Sequence, residues 1–203
     1  MDFIAKNVQH LRFMKLILAT NNKNKVEEIK NTIPAHFEII TLTDAGINKD
    51  IPEPFDTLEE NAQIKANTIF ELTGENVISE DTGLEVFALH GAPGVHSARY
   101  AGEDKSFEKN IEKLLKELEF KTNRIAQFRT IIWLIKDGTE YSFEGICKGE
   151  IIGSPKGENG FGYDAVFVPE GSDKTFAEMN INEKNNFSHR RKAVDKLVTF
   201  LNN

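Results

Sequence analysis

Two neighbouring carboxylates in the segment SEDTGLEV (79–86) have the residue types that metal-assisted chemistry needs. Glu80 and Asp81 follow a short apolar strand, and consecutive strand residues point to opposite faces. One of the two should therefore face a cleft while the other supports it, unless the turn rotates both inward. Their hard oxygens suit Mg²⁺, which retains water ligands for chemistry. Taken alone, the segment is slightly better explained as a solvated acidic turn.

The segment ATNNKNK (19–25) has the composition of a phosphate-binding loop. It lies between the first predicted strand and the first predicted helix, and ligands of open α/β sheets collect beyond the carboxyl ends of strands. The amides of Asn21 and Asn22 and the charges of Lys23 and Lys25 suit a polyphosphate at a helix N-terminus. The glycines of a Walker loop are missing. A polar surface loop explains this segment equally well.

Lys65 and Glu53 are candidates for the same cleft. Lys65 lies on the apolar face of the helix predicted over 57–74, where a lysine usually extends to the surface. The alternative is that it reaches into a cleft and pairs with an anion, assisted by Asn61 one turn earlier. Glu53 precedes the helix in a segment bracketed by prolines. Neither residue is decisive by itself.

Two glycine-containing loops could approach a ligand. Arg99 lies in the loop at 92–102, and the turn GENGFGYDAVF (157–167) is expected to expose Phe161 and Tyr163. An aromatic residue after glycine is more often part of a core than a platform for a nucleobase.

Four potential cations crowd the start of the last predicted helix, in the segment NEKNNFSHRRKAV (182–194). Ser188 is a good N-cap, and the apolar residues that follow have helical spacing. A helix N-terminus is already positive, so cations there are unfavourable. This broken rule indicates a functional site that binds an anion. Helical geometry turns Arg191 and Lys192 away from His189 and Arg190.

The remaining pattern predicts an α/β fold. An Asp137-Gly138 turn predicts a hairpin between two long strands. Strands alternate with helices early and pair antiparallel later, which indicates one domain with a mixed sheet and helices on both faces. The other predicted strands cover 14–20, 37–42, 77–79, 84–89 and 163–168, and the helices cover 26–33, 57–74, 104–118 and the region from Ser188 onward.

Composition limits the function classes. The chain has 25 basic and 32 acidic residues and a net charge of −7, which argues against a general nucleic-acid surface. A single cysteine, Cys147, excludes an intrachain disulfide and suits a reducing compartment. No apolar run approaches the length of a membrane span, and residues 1–13 make a poor signal peptide. We therefore expect a cytoplasmic protein with a short N-terminal extension (1–13) before its domain (14–203).

Five motifs in order resemble the inosine triphosphate pyrophosphatase family, which hydrolyses non-canonical purine nucleotides. The resemblance implies an elongated, two-lobed α/β domain with a central mixed β-sheet flanked by helices. It also implies a nucleotide cleft between the lobes, Mg²⁺ dependence and a homodimer. The motifs are LATNNKNKVEEI, TLEENAQIKA, SEDTGLEVFALHGAPGVHSARYAG, GENGFGYDAVFVPEG and TFAEMNINEKNNFSHRRKAV.

The resemblance also implies a role for each matching residue. Asp81 would be the catalytic base and, with Glu53, a metal ligand, and Glu80 is a further candidate ligand. Many relatives have Asp-Asp-Ser where this chain has Glu80-Asp81-Thr82, so the role of Glu80 is open. The substrate-binding residues would be Thr20, Asn21, Asn22, Lys23, Asn24 and Lys25 at the triphosphate, Lys65 at a phosphate, Phe161, Gly162, Tyr163, Asp164, Lys184, His189 and Arg190 at the nucleoside, and also Thr82 and Arg99.

The leading functional hypothesis is hydrolysis of ITP, dITP or XTP to the monophosphate and pyrophosphate. One alternative is a related pyrophosphatase for modified pyrimidine or methylated nucleotides, although such an enzyme is not expected to carry the FSHRRKA segment. Another is a nucleotide sensor without turnover. Three acids beside a polyanion would repel it in the absence of a metal, so the acid set favours the enzyme.

Overall fold

The first half of the chain forms the parallel part of the sheet. The computed structural model describes residues 14–203. In it, β1 (Met14–Leu18) pairs in parallel with β2 (Phe37–Thr41) on one side and with β3 (Val77–Val86) on the other. Parallel neighbours require crossover connections, and α1 (Lys23–Thr32) and α2 (Leu58–Thr73) lie within these connections.

The second half adds antiparallel strands to β3. β5 (Ile125–Lys136) pairs with β3 along the whole length of β3, and β6 (Thr139–Ile151) and β7 (Phe167–Pro169) follow outward. A two-residue strand, β4 (Pro93–Gly94), also pairs with β3. The chain is thus a single α/β domain with a mixed, open, seven-stranded sheet flanked by helices, as predicted.

The hairpin between β5 and β6 forms at the predicted turn. Asp137 and Gly138 both have positive φ, at 50° and 77°. A two-residue turn with this backbone matches the twist of the flanking strands. The hairpin prediction is therefore confirmed.

Helices cover both faces of the sheet, and strand alternation assigns each side chain to one face. Leu16 and Leu18 of β1 pack in a core cluster with Ile29 of α1 and Leu197 of α5 (His189–Leu201). The intervening Ile17 packs in another cluster, with Ala66 and Ile69 of α2. A third cluster includes Leu114 of α3 (Phe107–Glu117), and α4 (Ile181–Asn185) precedes α5.

Two predictions about strands are wrong. Residues 77–79 and 84–89 were expected to be two strands around an acidic turn. Instead β3 runs through Val77–Val86 without a break, because every residue from 77 to 86 pairs with β5, and 87–89 form a 3₁₀ turn. The expected strand at 163–168 is mostly a turn, stabilised by the amide of Phe161 donating to Asp164 at 3.0 Å.

The predicted N-terminal extension, residues 1–13, lies outside the described residues. Among residues 14–203, no helix is both long and apolar enough to cross a membrane.

Candidate active site

A cavity of about 360 Å³ lies where β1, β3, α1, α2 and the start of α5 meet. Most of the predicted site residues line it. They are Thr20, Asn21, Asn22, Lys25, Glu53, Lys65, Asp81, Thr82, Arg99, Phe161, Gly162, Tyr163, Asp164, Lys184, His189 and Arg190. Tertiary folding therefore brings together segments that are up to about 170 positions apart in sequence.

Three predicted residues are placed elsewhere. Lys23 lines a second cavity beside α1, of about 470 Å³, together with Glu27 and Lys30. Asn24 is not among the described residues that line either cavity. Glu80 is fully buried behind the cleft.

The N-terminus of α1 opens onto the cleft. Asn22 caps the helix, because its side-chain oxygen accepts the amides of Asn24 at 3.0 Å and Lys25 at 3.2 Å. Asn21 donates to the carbonyl of Lys49 at 3.1 Å. These bonds fix the loop and direct the positive end of the helix toward the cleft, which favours an anion there.

Lys65 joins the two expected metal-binding acids. Its ammonium group donates to Glu53 Oε1 at 2.6 Å, to Asp81 Oδ1 at 2.8 Å and to the carbonyl of Glu80 at 2.8 Å. α2 presents Lys65 from the face of the sheet toward which Asp81 points. The side chain is therefore buried in the cleft rather than extended to the surface.

The segment that carries Glu53 is held by two residues. Asn61 on α2 accepts the amide of Phe55 at 3.0 Å and donates to the Phe55 carbonyl at 2.9 Å. Arg99 donates to the Glu53 carbonyl at 3.2 Å. Asn61 thus assists the site by holding this segment beside Lys65.

The two acids beside Lys65 have different proton affinities. Burial raises the pKa of Asp81, and the charge of Lys65 only partly offsets this effect. Burial also disfavours the charged form of Glu53, but Lys65 outweighs it and the pKa of Glu53 is lowered. Asp81 is therefore the better proton acceptor of the two.

Glu80 points to the opposite face, as strand alternation predicts. Its carboxylate accepts from Arg190 Nη2 at 3.0 Å and pairs with Lys25 Nζ at 3.0 Å. Although burial opposes ionisation, these cations hold the pKa of Glu80 well below its usual range. Glu80 is thus a supporting anion behind the cleft.

Glu28, which sequence reasoning missed, is a second anion on this face. It accepts from Lys184 Nζ at 2.8 Å and is bonded to Arg190. Lys184 also donates to Asp164 at 2.7 Å. The only available signal was that Glu28 lies three residues after Lys25 and hence on the same side of α1.

These contacts alter the explanation for the cations at the start of α5. We expected a bound nucleotide to compensate them, but Glu28 and Glu80 already neutralise Arg190 within the protein. Arg191 pairs with Asp195, and Lys192 donates to the carbonyl of Ile146. Both latter side chains point away from the cleft, as helical geometry predicts.

His189 lies beside Arg190, and its imidazole ring is uncharged. Its ring stacks on Phe128 at a centroid distance of 4.7 Å, and its Nδ1 has no hydrogen-bond partner among residues 14–203. Burial, together with the charges of Arg190 and Lys184, holds its pKa well below the usual value. A neutral imidazole can donate from one nitrogen and accept at the other.

Gly145 on β6 allows α5 to approach the sheet this closely. A Cβ atom at this position would lie 2.0 Å from the backbone oxygen of His189. Since neither the strand nor the helix backbone could move without disturbing its neighbours, only glycine fits. The position of His189 therefore depends on this strand.

The glycine-rich turn presents Phe161 but not Tyr163. Phe161 lies at the cleft with Phe107 at a centroid distance of 6.1 Å and Lys184 Nζ 5.4 Å from its ring centre. Tyr163 was expected to be exposed, but it is buried and donates to the carbonyl of Ser97 at 2.9 Å. The expected exposure of Tyr163 is wrong because this hydrogen bond and the adjoining core hold the ring inward, although the residue still lines the cavity.

Sequence reasoning also missed several residues that line the cavity, because no recognisable pattern marked them. The missed lining residues include Asp50, Ser97, Glu103, Lys105, Phe107 and Phe128.

Within residues 14–203, no group of three or more histidine, cysteine, aspartate or glutamate side chains is arranged to hold a metal ion.

Comparison with known proteins agrees with the sequence motifs. The sequence model of the Ham1 family matches residues 16–200. The chain is 50% identical to a dITP/XTP pyrophosphatase of Flavobacterium johnsoniae, covering 93% of this chain and 98% of that protein. It is 48% identical to a dITP/XTP pyrophosphatase of Christiangramia forsetii, covering 93% and 99%.

Solved structures share the fold. The Ham1 protein of Staphylococcus aureus matches with a TM-score of 0.85 and 42% identity, covering 93% of this chain and 98% of that one. A HAM1 protein from Coxiella burnetii matches with a TM-score of 0.86 and 36% identity over the same shares. The resemblance noted from the motifs is thereby confirmed, and the chain belongs to the Ham1 family.

Proposed function

We propose that this protein hydrolyses non-canonical purine nucleoside triphosphates (ITP, dITP and XTP) to the monophosphate and pyrophosphate, with Mg²⁺ as cofactor. The observation that carries the proposal is the position of Asp81 and Glu53 at the cleft beside the N-terminus of α1. A phosphate-binding helix end and hard carboxylate oxygens in one cavity are the parts that metal-assisted phosphate chemistry requires. The names of the relatives support the same substrates.

The donor set fits a divalent cation. Glu53 and Asp81 already surround a positive group, the ammonium of Lys65, which stands in for a cation between their oxygens. Mg²⁺ is commonly held by one or two carboxylates together with substrate phosphates. When bound, it would neutralise phosphate oxygens and make a ligated water more acidic.

Asp81 is proposed to accept the proton of the attacking water. Its raised pKa makes it a stronger base than an exposed carboxylate, and Lys65 orients it. The water then attacks the α phosphorus, and pyrophosphate leaves. Thr20, Lys25 and the positive N-terminus of α1 hold the triphosphate in line for that attack.

The other end of the cleft is proposed to select the base. Arg190 has five N–H donors, and its bonds to Glu28, Glu80 and Thr82 use four of them. The fifth N–H, with a donor from neutral His189, suits the 6-keto oxygen of hypoxanthine or xanthine. Adenine has an amino group there. Phe161 provides a stacking surface.

A panel of nucleotides tests this proposal. With Mg²⁺, the purified protein should release pyrophosphate from ITP, dITP and XTP much faster than from ATP, and none without a divalent cation. Orthophosphate as the direct product would move the cut to the β–γ bond. Preference for modified pyrimidine or methylated nucleotides would favour the related pyrophosphatases, and binding without turnover would favour a sensor.

Two further parts of the proposal rest on the sequence alone. We propose that the enzyme is a homodimer, as the family resemblance implies, and that it acts in the cytoplasm, as its single cysteine and its lack of long apolar runs indicate. Light scattering during size-exclusion chromatography tests the first, and fractionation of the source cells tests the second.

A further inference from the structure

The ammonium group of Lys65 is fully coordinated by the protein. It has three N–H donors, and three oxygens accept them: Glu53 Oε1 at 2.6 Å, Asp81 Oδ1 at 2.8 Å and the Glu80 carbonyl at 2.8 Å. The side chain is only 6% exposed. No N–H of Lys65 is left for a phosphate in this arrangement, although the sequence resemblance implies a phosphate contact.

The oxygens around Lys65 include those expected to bind the metal. Glu53 and Asp81 supply two hard carboxylates, and both already accept a hydrogen bond from the same ammonium group. A divalent cation on the same oxygens would lie close to the ammonium, and like charges at such a distance repel strongly in a partly buried site. The two cations therefore compete for one pair of carboxylates.

A nucleotide triphosphate would remove this competition. Its phosphates bring several negative charges to the N-terminus of α1, on the same cavity wall as Thr20 and Lys25. A lysine has a flexible four-carbon stem, so the ammonium can move from the carboxylates to a phosphate oxygen while the metal takes its place. When bound together with the nucleotide, Mg²⁺ would also have phosphate oxygens as ligands.

We propose that Lys65 is a built-in counter-cation that excludes the divalent metal from the nucleotide-free enzyme. Metal and nucleotide then enter together, and Lys65 exchanges its two carboxylates for a phosphate. This inference rests on the proposed function, because it requires a metal–nucleotide substrate. It assigns to Lys65 a role in the order of binding, in addition to phosphate contact.

The test measures the binding of Mn²⁺ alone to nucleotide-free protein by electron paramagnetic resonance. Lys65→Met keeps most of the volume but removes the charge, and it should tighten Mn²⁺ binding by about tenfold or more. Lys65→Arg retains the charge and should leave Mn²⁺ binding weak. Lys192→Met removes an exposed lysine that donates to a backbone carbonyl, that of Ile146, and should not tighten binding.

Unchanged Mn²⁺ affinity in folded Lys65→Met, or equal tightening in Lys192→Met, would overturn the inference. If Lys65→Met does not fold, the ¹⁵N ammonium resonance of Lys65 in the wild type gives the answer. It should shift when Mg²⁺ is added with an ITP analogue that has a methylene group between the α and β phosphorus atoms. It should not shift with Mg²⁺ alone, and the reverse result would contradict the exchange.

The wild-type nucleotide panel separates the two possible failures. If the wild type releases no pyrophosphate from any nucleotide, the proposed function fails. If it releases pyrophosphate but Lys65→Met leaves the affinity for Mn²⁺ unchanged, only the proposed exchange of Lys65 partners fails.

Discussion

Adjacent residues of β3 have opposite chemical environments. Asp81 shares Lys65 with Glu53 and has a raised pKa, whereas Glu80 is surrounded by Arg190 and Lys25 and has a lowered one. The difference arises because alternation sends one side chain toward α2 and the other toward α5. The two side chains have nearly the same chemistry, but their environments differ, and only Asp81 has the raised pKa that suits a base.

Asp81→Asn is expected to lower kcat by roughly 10²–10⁴-fold, the usual contribution of a general base, while the fold survives. The change removes the charge but little volume. Pyrophosphate release with Mg²⁺ and ITP measures the activity, and circular dichroism checks the fold. Asp195→Asn, an exposed acid paired with Arg191 outside the cleft, is the control and should be active. Near-normal turnover of the Asp81 variant would exclude Asp81 as the base.

Arg190→Ala is expected to reduce kcat/KM for ITP sharply and to shrink the preference for ITP over ATP. Its free N–H would no longer be available to the keto oxygen. Steady-state kinetics on both nucleotides measures the ratio of kcat/KM for ITP to kcat/KM for ATP. Equal losses on both nucleotides would show that Arg190 positions the substrate and does not distinguish the bases.

The same variant should also lose stability. Removing one partner of a buried ion pair typically costs about 3–5 kcal/mol, and Glu28 and Glu80 would both lose a bond to Arg190. Urea denaturation measures the free energy of unfolding. Arg191→Ala, which removes only an exposed pair with Asp195, is the control, and an equally stable Arg190 variant would argue against a supporting network.

At the scale of elements, helices and the hairpin could be predicted from sequence because their signals are local. Ser188 caps α5 and Thr57 caps α2, as their residue types indicate. The bond between Glu28 and Arg190 spans 162 positions, so no local pattern could reveal it. The stacking of Phe128 on His189 also joins residues that are far apart in the sequence, so no local pattern could reveal it either. The continuity of β3 was missed because the Glu80–Gly83 letters are typical of a turn, whereas pairing with β5 overrides that preference.

The contact between β6 and α5 gives a stability prediction. Gly145→Ala is expected to lower the free energy of unfolding by about 1–3 kcal/mol, since the added methyl group would overlap the His189 carbonyl. Gly153→Ala is the matched control, because a Cβ there meets nothing within 4 Å. Urea denaturation of both variants measures the effect. Equal free energies of unfolding for the two variants would mean that α5 can move away from β6 without loss of stability.

At the scale of the whole molecule, a buried titratable side chain makes the free energy of unfolding depend on pH. His189 is neutral in the folded protein because burial and neighbouring cations lower its pKa. Below the unfolded pKa of about 6.5, the unfolded chain binds a proton at this position and the folded chain does not. The contribution of His189 to stability is therefore present above that pH and is lost as pH falls.

This linkage predicts a loss of about 1.4 kcal/mol per pH unit below about pH 6.5 from His189 alone. His189→Phe retains an aromatic ring beside Phe128 and should remove that part of the slope. Urea denaturation between pH 7.5 and 5.5 compares the wild type with this variant. His36→Gln, at an exposed position, should keep the wild-type slope, and identical slopes for wild type and His189→Phe would contradict the buried neutral ring.

β3 pairs with β1 only at Val77 and Ile78, but with β5 along all of 77–86. The two acids lie just beyond the point where β1 stops. A single inserted or deleted residue between Ile78 and Glu80 would reverse the faces of both acids. Asp81 would then point toward the side of α5, and Glu80 toward the side of α2. A change of length in this strand therefore exchanges the faces of the two acids in one step, which no single substitution does.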